Sequence, residues 1–310
     1  MEVRLAKEKR LFLGLIIKSQ SGFFTVQTEA GSLVCRLRGR LKQGARKGDL
    51  AAIGDRVKVE QLDAVRGVIA EIEPRQRMLS RLAPTPRGEY QQIIIANPDQ
   101  AVFVFACASP APRLRMLDRF LVIAEKEEIP ALIIANKVDL VGIEKAQALF
   151  GHYIPIGYPV IFSSAKSRLG IAELHQSLTG KVSVLAGPSG VGKSSLLNAI
   201  QPGLGLAVQH ISQASGKGQH TTVLSELFPL SGGGYVADTP GLRALALWDT
   251  APEELNGYFP ELRQLVTHCQ FNDCTHTHEP GCAVQAAVAQ ELVHPERYES
   301  YVRLRRGEEL

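Results

Sequence analysis

The sequence predicts a multidomain chain: an N-terminal all-β barrel over residues 1–80, a central α/β domain over 81–248, and a C-terminal helical domain built around a metal over 249–310. Three stretches carry that reading. Gly187-Pro188-Ser189-Gly190-Val191-Gly192-Lys193-Ser194 stands between a short apolar run and a helical pattern. Well before it, short alternating segments are punctuated by Gly-rich turns. After it, cysteines and histidines crowd into residues 269–282.

Composition narrows the class. Apolar residues make up 45% and charged residues 21%, as in a globular chain rather than a disordered one. The apolar runs are strand-sized, far short of the ~18 residues of a spanning helix. Basic residues 1–10 precede a seven-residue apolar run, Leu11 to Ile17, which is short for a leader and reads as a first strand. The expectation is a cytoplasmic protein with no membrane partner. Of five cysteines, three cluster near the C-terminus, which favours a metal site over a disulfide framework. The net charge of +4 is unevenly spread. Residues 1–80 hold sixteen Lys/Arg against nine Asp/Glu, while the remainder is slightly acidic. A polyanion is therefore expected at the first module.

In that module, Leu11–Lys18, Phe23–Thr28, Ser32–Arg40, Asp55–Glu60 and Gly67–Glu73 read as strands of a small OB-like barrel. Arg36, Arg38 and Arg40 are spaced by two, which on a strand puts all three on one face. With Lys42 they form a candidate nucleic-acid-binding surface, a pattern that does not decide between RNA and DNA. Pro74 to Gly88, with Pro84 and Pro86, reads as a linker.

Gln92–Ala96 and Ala101–Ala106 are apolar strands, and Leu114–Glu128 is helical, with Leu117, Phe120, Leu121 and Ala124 on one face. Ala131–Ala135 is a buried strand ending in Asn136-Lys137-Val138-Asp139. Asp139 can accept from guanine N1–H and its exocyclic amine together, a donor pair that adenine lacks. Asn136 and Lys137 would brace that pocket. Strand Val160–Ser163 leads into Ser164-Ala165-Lys166, whose backbone would reach the guanine O6. Next comes the phosphate loop itself, after strand Lys181–Ala186 and before helix Ser194–Ile200. Backbone N–H groups at such a helix start cradle phosphates. Lys193 would reach the β/γ-phosphates and Ser194 would hold Mg²⁺, with Ser195 beside it. A basic Gly/Ser-rich stretch, Ser212–Thr222, follows, then strands Val223–Leu230 and Tyr235–Ala237. The last delivers Asp238-Thr239-Pro240-Gly241, in which Asp238 would serve Mg²⁺ and the Gly241 N–H would sense the γ-phosphate. All parts of a P-loop GTPase domain are present in rotated order, the base motif preceding the phosphate loop.

Leu242 occupies the place where many GTPases carry a water-orienting glutamine. His220 is the best replacement, as the catalytic group that positions water. Thr221 and Thr222 compete as Mg²⁺ ligands, and Thr222 is preferred. Farther on, Thr250-Ala251-Pro252-Glu253 has the form of a capping box opening a helix. Cys269, Cys274, His276 and Cys282 form a closed set of three thiolates and one imidazole, suited to one structural Zn²⁺. His278 rivals His276 on spacing alone. Cys35 and Cys107 read as core residues. Pro295–Arg306 is a terminal helix whose Arg297, Arg303, Arg305 and Arg306 offer a second RNA-facing surface.

Leu117-Asp118-Arg119-Phe120-Leu121, the rotated motif order, Gly218-Gln219-His220-Thr221-Thr222, Asp238-Thr239-Pro240-Gly241 and the Cys/His run together resemble the circularly permuted, ribosome small-subunit-dependent GTPase A family (RsgA, also called YjeQ) over nearly the whole chain. Gln219 stands where the family pattern has Arg. The resemblance implies a GTPase that converts GTP to GDP and phosphate, is stimulated by the small ribosomal subunit, binds its rRNA, and leaves late in subunit assembly. It also implies the His220 role, and it selects His276 over His278. A monomer is expected. The alternative is a nucleotide-gated RNA-binding adaptor in which hydrolysis is incidental.

Overall fold

The computed structural model describes residues 11–42, 48–85, 88–204, 226–238 and 250–308. The N-terminal barrel is built from β1 (Leu11–Gln20), β2 (Phe23–Thr28), β3 (Gly31–Leu37), β4 (Arg56–Gln61) and β5 (Arg66–Ile72). It closes in the order β1-β2-β3-β5-β4. Alternation sends Ile16, Val26, Cys35, Val57, Val59 and Ile69 inward, where all six are fully buried. Burial pushes the Cys35 thiol up to about 11, so it stays a neutral core group.

The third strand is shorter than its sequence suggests. It ends at Leu37, and Gly39–Lys42 forms a 3₁₀ turn. Arg36 is on the strand, but Arg38 pairs with Glu60 of β4 and Arg40 donates to the Ala70 carbonyl at 3.2 Å. Glu60 stands in register with Val68 and Arg36, so the acid that holds Arg38 lies on the same outer face as Arg36. The internal partners of Arg38 and Arg40, absent from a strand-periodicity argument, decide where these two point.

Residues 74–88 are not a plain linker. β6 (Met78–Thr85) and β7 (Gly88–Ala96) pair as an antiparallel ribbon, and the division expected at residue 80 falls inside β6. A two-stranded ribbon has only edge strands, where proline's missing N–H is tolerated, so Pro84 does not break it. Polar contacts fasten the barrel to this ribbon and to the segment that leads into it. Asp55 is fully buried and takes two bonds from Arg75, at 2.7 and 2.8 Å. Asp49 accepts from the Tyr90 hydroxyl and the Ile93 N–H.

The central domain holds β8 (Gln100–Ala106), α1 (Leu114–Lys126), β9 (Ala131–Asn136), α2 (Ile143–Phe150), β10 (Val160–Phe162), α3 (Ile171–Leu178), β11 (Val182–Ala186), α4 (Lys193–Ile200), β12 (Phe228–Pro229) and β13 (Tyr235–Asp238). The sheet order is β10-β9-β8-β11-β13-β12. All neighbours are parallel except the β12–β13 edge pair. Every residue of β8 is buried, as a central parallel strand covered on both faces requires. Phe103 and Phe105 pack under Phe120 of α1, while Val102 and Val104 face Leu174, Leu196 and Leu197. Barrel and sheet also touch directly: the Leu227 N–H donates to the Ile17 carbonyl at 2.7 Å, and Lys18 pairs with Glu226.

The C-terminal part contains α5 (Pro260–Arg263), α6 (Ala283–Ala289) and α7 (Pro295–Arg305). No helix starts at Thr250. Residues 252–254 form a turn, and the first helical piece is a 3₁₀ turn at Leu255–Tyr258. Thr250 is engaged instead by Lys126, whose ammonium donates to its hydroxyl at 2.9 Å. Asn256 and Gly257 also favour short turns over a continued helix. α6 was not anticipated from the sequence.

Arg297 is a correction to the basic-surface expectation, being 1% exposed. It donates to Asp118 of α1 at 2.8 Å and clasps Glu261 of α5 at 2.7 and 3.1 Å. Ser300 and Tyr153 also donate to Asp118. Burial works against the charged carboxylate, and the guanidinium with these two hydroxyls works for it. This cluster docks α7 on α1, so α1 is covered on both sides: Val122 belongs to the C-terminal core. Arg303 and Arg305 also turn to acids, Glu299 and Glu253.

Asp118→Ala is expected to cost about 3–5 kcal/mol, because it leaves a buried guanidinium short of a partner. In a double-mutant cycle with Arg297→Met the losses should fall short of additivity by roughly 0.5–3 kcal/mol. Urea titration of the four proteins measures this, and strictly additive losses would show that the pair is not coupled.

Candidate nucleotide site and metal centre

The five parallel strands release their chains at one edge of the sheet. β9 ends at Asn136, β10 just before Ser163, β11 just before Gly187, and β13 at Asp238 beside Leu185 of β11. Loops at the carboxyl ends of parallel strands form the usual ligand crevice. Among the described residues, Asn136 to Asp139, Ser164 to Lys166 and Gly187 to Ser195 meet there although they lie far apart in the chain.

Gly187 opens the phosphate loop at φ +151°, and an added Cβ would run into the Val104 carbonyl oxygen. Gly192 closes it at φ +100°, where a Cβ would sit 2.5 Å from the Asn136 side-chain nitrogen. Only glycine satisfies both demands. Pro188 and Val191 are buried and Ser189 is exposed. The Lys193 ammonium donates to the carbonyls of Gly187 and Pro188, at 2.9 and 3.1 Å, and so lies across the loop. Ser194 and Ser195 are half-buried in the first turn of α4. Gly190 accepts from the Lys137 ammonium at 2.6 Å, and Ser109 accepts from it as well. Lys137 itself adopts a left-handed φ of 64°. Burial depresses its pKa, and Asp139 opposes that.

Asn136 joins the two halves of the site. Its buried carboxamide donates to the Val191 carbonyl at 2.8 Å and accepts from Ser163 at 3.2 Å. Fully buried Ser164 donates to one Asp139 oxygen at 2.6 Å and receives the Ser167 N–H. Asp139 itself is exposed. Ala165 is half-buried and Lys166 exposed. Sequence reasoning missed Ser163 and Ser109. Ser163 was adjacent to a motif already noted, whereas Ser109 contributes only a carbonyl and has no side-chain signature. His220, Thr221, Thr222 and Gly241 lie outside the described residues.

In the C-terminal part, the donor atoms of Cys269, Cys274, His276 and Cys282 lie within 4.8 Å of one another. His276 Nδ1 is 3.4 Å from the Cys269 sulfur and 3.5 Å from that of Cys282. The two sulfurs are 4.0 Å apart. A tetrahedral zinc with Zn–S of about 2.3 Å needs ligand-to-ligand edges near ~3.8 Å, so the set fits that ion. Burial holds the His276 imidazole below its usual pKa, which keeps it neutral as a ligand must be. Its other nitrogen faces the Asn256 carboxamide at 3.3 Å. His278 is exposed, bonds Thr277 and stands outside the cluster. Tyr298 and Tyr301 of α7 donate to the carbonyls of His276 and Thr275, and Glu279 accepts the N–H groups of Thr275, Thr277 and His278. The ligand loop is thus held from outside as well as from within.

A guanine edge and a phosphate loop tied through one buried carboxamide, with the base motif upstream, is the arrangement of a circularly permuted P-loop GTPase. Comparison with known proteins agrees. The family model described as RsgA GTPase matches residues 72–248, and that of the RsgA N-terminal domain matches residues 13–69. A relative from Gemmatimonas aurantiaca, named small ribosomal subunit biogenesis GTPase RsgA, is 46% identical over 94% of this chain and 96% of its own. One of the same name from Moorella thermoacetica is 42% identical over 93% and 94%. The crystal structure of YjeQ from Thermotoga maritima superposes with a TM-score of 0.80 at 36% identity, covering 96% of this chain and 98% of that one. YloQ, described as a circularly permuted GTPase, gives 0.75 at 33% identity over 98% and 97%. The chain belongs to the RsgA family and is a GTP-hydrolysing enzyme.

Asn136→Ala removes the bond to Val191 and strands a buried carbonyl, worth about 1–3 kcal/mol. GDP affinity should fall roughly 5- to 150-fold, read by titration with a fluorescent GDP analogue. An unchanged Kd would show that the loop holds its shape without that bond.

Proposed function

We propose that this chain hydrolyses GTP in the service of small-ribosomal-subunit biogenesis, in the cytoplasm and as a monomer, with the subunit and its rRNA as partners. The observation that carries the nucleotide reading is the Asn136 bridge: it ties the phosphate loop to Ser163, whose neighbour Ser164 holds Asp139. The subunit reading rests on the names of the relatives and on the basic first module.

Each residue has a role in this reading. Asp139, held by Ser164, accepts from the guanine donors, while Asn136 and Lys137 support the ring and Ala165 and Lys166 bring backbone to its O6. Gly187 to Ser195 wrap the phosphates, and Lys193 leaves its carbonyl partners to neutralise charge that develops on the β/γ bridge. Ser194, Thr222 and Asp238 are the side chains that would hold Mg²⁺, which supplies further neutralisation of phosphate charge. His220 orients the attacking water, and the Gly241 N–H reads the γ-phosphate. Cys269, Cys274, His276 and Cys282 would hold one structural Zn²⁺, three thiolates and one imidazole being a donor set suited to a structural role. Arg36, Arg38, Arg40 and Lys42 mark the rRNA side of the barrel. The modules are taken as the barrel, which ends with β5, the central domain from the β6–β7 ribbon to residue 248, and residues 249–310.

Phosphate release from GTP should rise strongly when purified small subunits are added, with no such response for ATP. Subunits that leave the GTP rate untouched would remove the ribosomal part of the reading. His220→Ala should retain GDP affinity and lose on the order of 10²–10⁴ in subunit-stimulated turnover. Unaltered turnover would assign water positioning to another group. Normal release of the variant from subunits would favour the adaptor alternative.

A further inference from the structure

We infer that barrel strand β1 positions the segment carrying His220 and Thr222 for hydrolysis, acting through the Ile17 carbonyl and the Lys18–Glu226 ion pair. This deepens the reading of that segment above and rests on it. Ile17, Lys18 and Glu226 are positioning residues; none of them touches the nucleotide.

The register puts this contact at the edge of the crevice. β12 runs antiparallel to β13, with Phe228 opposite Val236 and Pro229 opposite Tyr235. Continued by two residues, that register sets Glu226 level with Asp238, where β13 ends. Thr222 precedes Glu226 by four positions and His220 precedes it by six. A chain reaches at most about 3.5 Å per residue, so fixing Glu226 keeps Thr222 within ~14 Å and His220 within ~21 Å of it. β12 alone is a weak anchor. It has two residues, and one is Pro229, which brings no N–H to a ladder.

The barrel supplies the rest of the anchor. Leu227 is 1% exposed within the central core, and Leu15 and Ile17 of β1 pack against that same core. Its N–H donates to the Ile17 carbonyl at 2.7 Å. Lys18 and Glu226 face each other as an antiparallel bridge pair, with the ammonium 2.7 Å from the carboxylate. β1 is shaped for this. Its pairing with β2 passes from Ile16–Val26 to Lys18–Thr25, so Ile17 is the extra residue of a bulge. A bulge leaves one residue without a cross-strand partner and re-aims it, and bulges gather beside active sites for that reason. Here the residue left over on β1 is the one whose carbonyl Leu227 takes. The Lys18 and Glu226 side chains are 40% and 39% exposed, and so open a pair adds little to global stability. Catalysis responds far more steeply than stability to a small displacement of a reacting group. A short, exposed tether at the crevice edge therefore matters for rate rather than for folding.

The test uses the full-length protein without subunits, which separates it from the ribosomal reading. Single-turnover hydrolysis gives the rate constant of bound GTP, a fluorescent GDP analogue gives Kd, and urea titration gives stability. Lys18→Ala should slow hydrolysis roughly two- to fivefold. Lys18→Glu sets like charges face to face and should slow it roughly 3- to 30-fold, short of the ~100-fold that a 1 Å misplacement can cost. Both variants should keep the GDP Kd and the urea midpoint of the wild type. Lys18→Glu combined with Glu226→Lys restores the pair and should recover most of the rate. Lys58→Glu, which breaks the Lys58–Glu71 pair between β4 and β5, should leave the rate unchanged. A wild-type rate in Lys18→Glu overturns the inference. So does a loss that the charge swap fails to recover, or one that Lys58→Glu matches, since either reports a loosened barrel. A parallel loss of GDP affinity overturns it too, because the whole crevice would then be disturbed. His220→Ala separates the inference from the reading beneath it. If His220→Ala turns over normally while Lys18→Glu is slow and the swap recovers, the positioning stands and the His220 role falls. If His220→Ala is inactive while Lys18→Glu is normal, the His220 role stands and the positioning falls.

Discussion

Parallel pairing of β10, β9, β8, β11 and β13 is the constraint on which the nucleotide site depends. Parallel strands all discharge their loops at the same edge, whatever the order in which the chain visits them. Rotating the motif order therefore changes the path of the chain and leaves the crevice intact. What then has to be secured is the seam between a base-binding half and a phosphate-binding half that are no longer in their usual succession. Asn136 does this with one buried carboxamide, reaching Val191 across 55 residues of sequence. Gly192 has no side chain in part because that carboxamide occupies the space where a Cβ would go.

The C-terminal part is attached by a different kind of interaction. Its contact with α1 combines an apolar layer around Val122 and Phe259 with a buried charge cluster of Asp118, Arg297 and Glu261. Such a cluster adds little net stability over a well-packed apolar contact, but a misaligned one is severely penalised. It fixes the angle at which α7 crosses α1. The same helix supplies Tyr298 and Tyr301 to the carbonyls of the Cys/His loop. One helix thus both docks on α1 and supports the metal cluster.

Much of the site was legible because its motifs have local geometric requirements: glycines where a Cβ cannot fit, an aspartate at a strand end, cysteines at short spacing. The barrel was legible from alternation. What failed depended on partners distant in sequence. Arg38 and Arg40 look like strand residues until Glu60 and the Ala70 carbonyl are known. Arg297 reads as a surface cation because Asp118 and Glu261 are 179 and 36 residues away. Pro84 reads as a linker residue because nothing local says that its strand has a single partner. Thr250 to Glu253 has the letters of a capping box, but the hydroxyl was claimed by Lys126.

The Asp118 cluster also sets an order in time. Synthesis proceeds from the N-terminus, so the carboxylate that Arg297 neutralises is made 179 residues before its partner. At about 5–20 residues per second that interval is roughly 10–35 s. Throughout it, α1 is complete in sequence while its outer side and a bare carboxylate stay open to water. The central domain can assemble its sheet in that time, yet α1 is covered on both sides only when the last helix arrives.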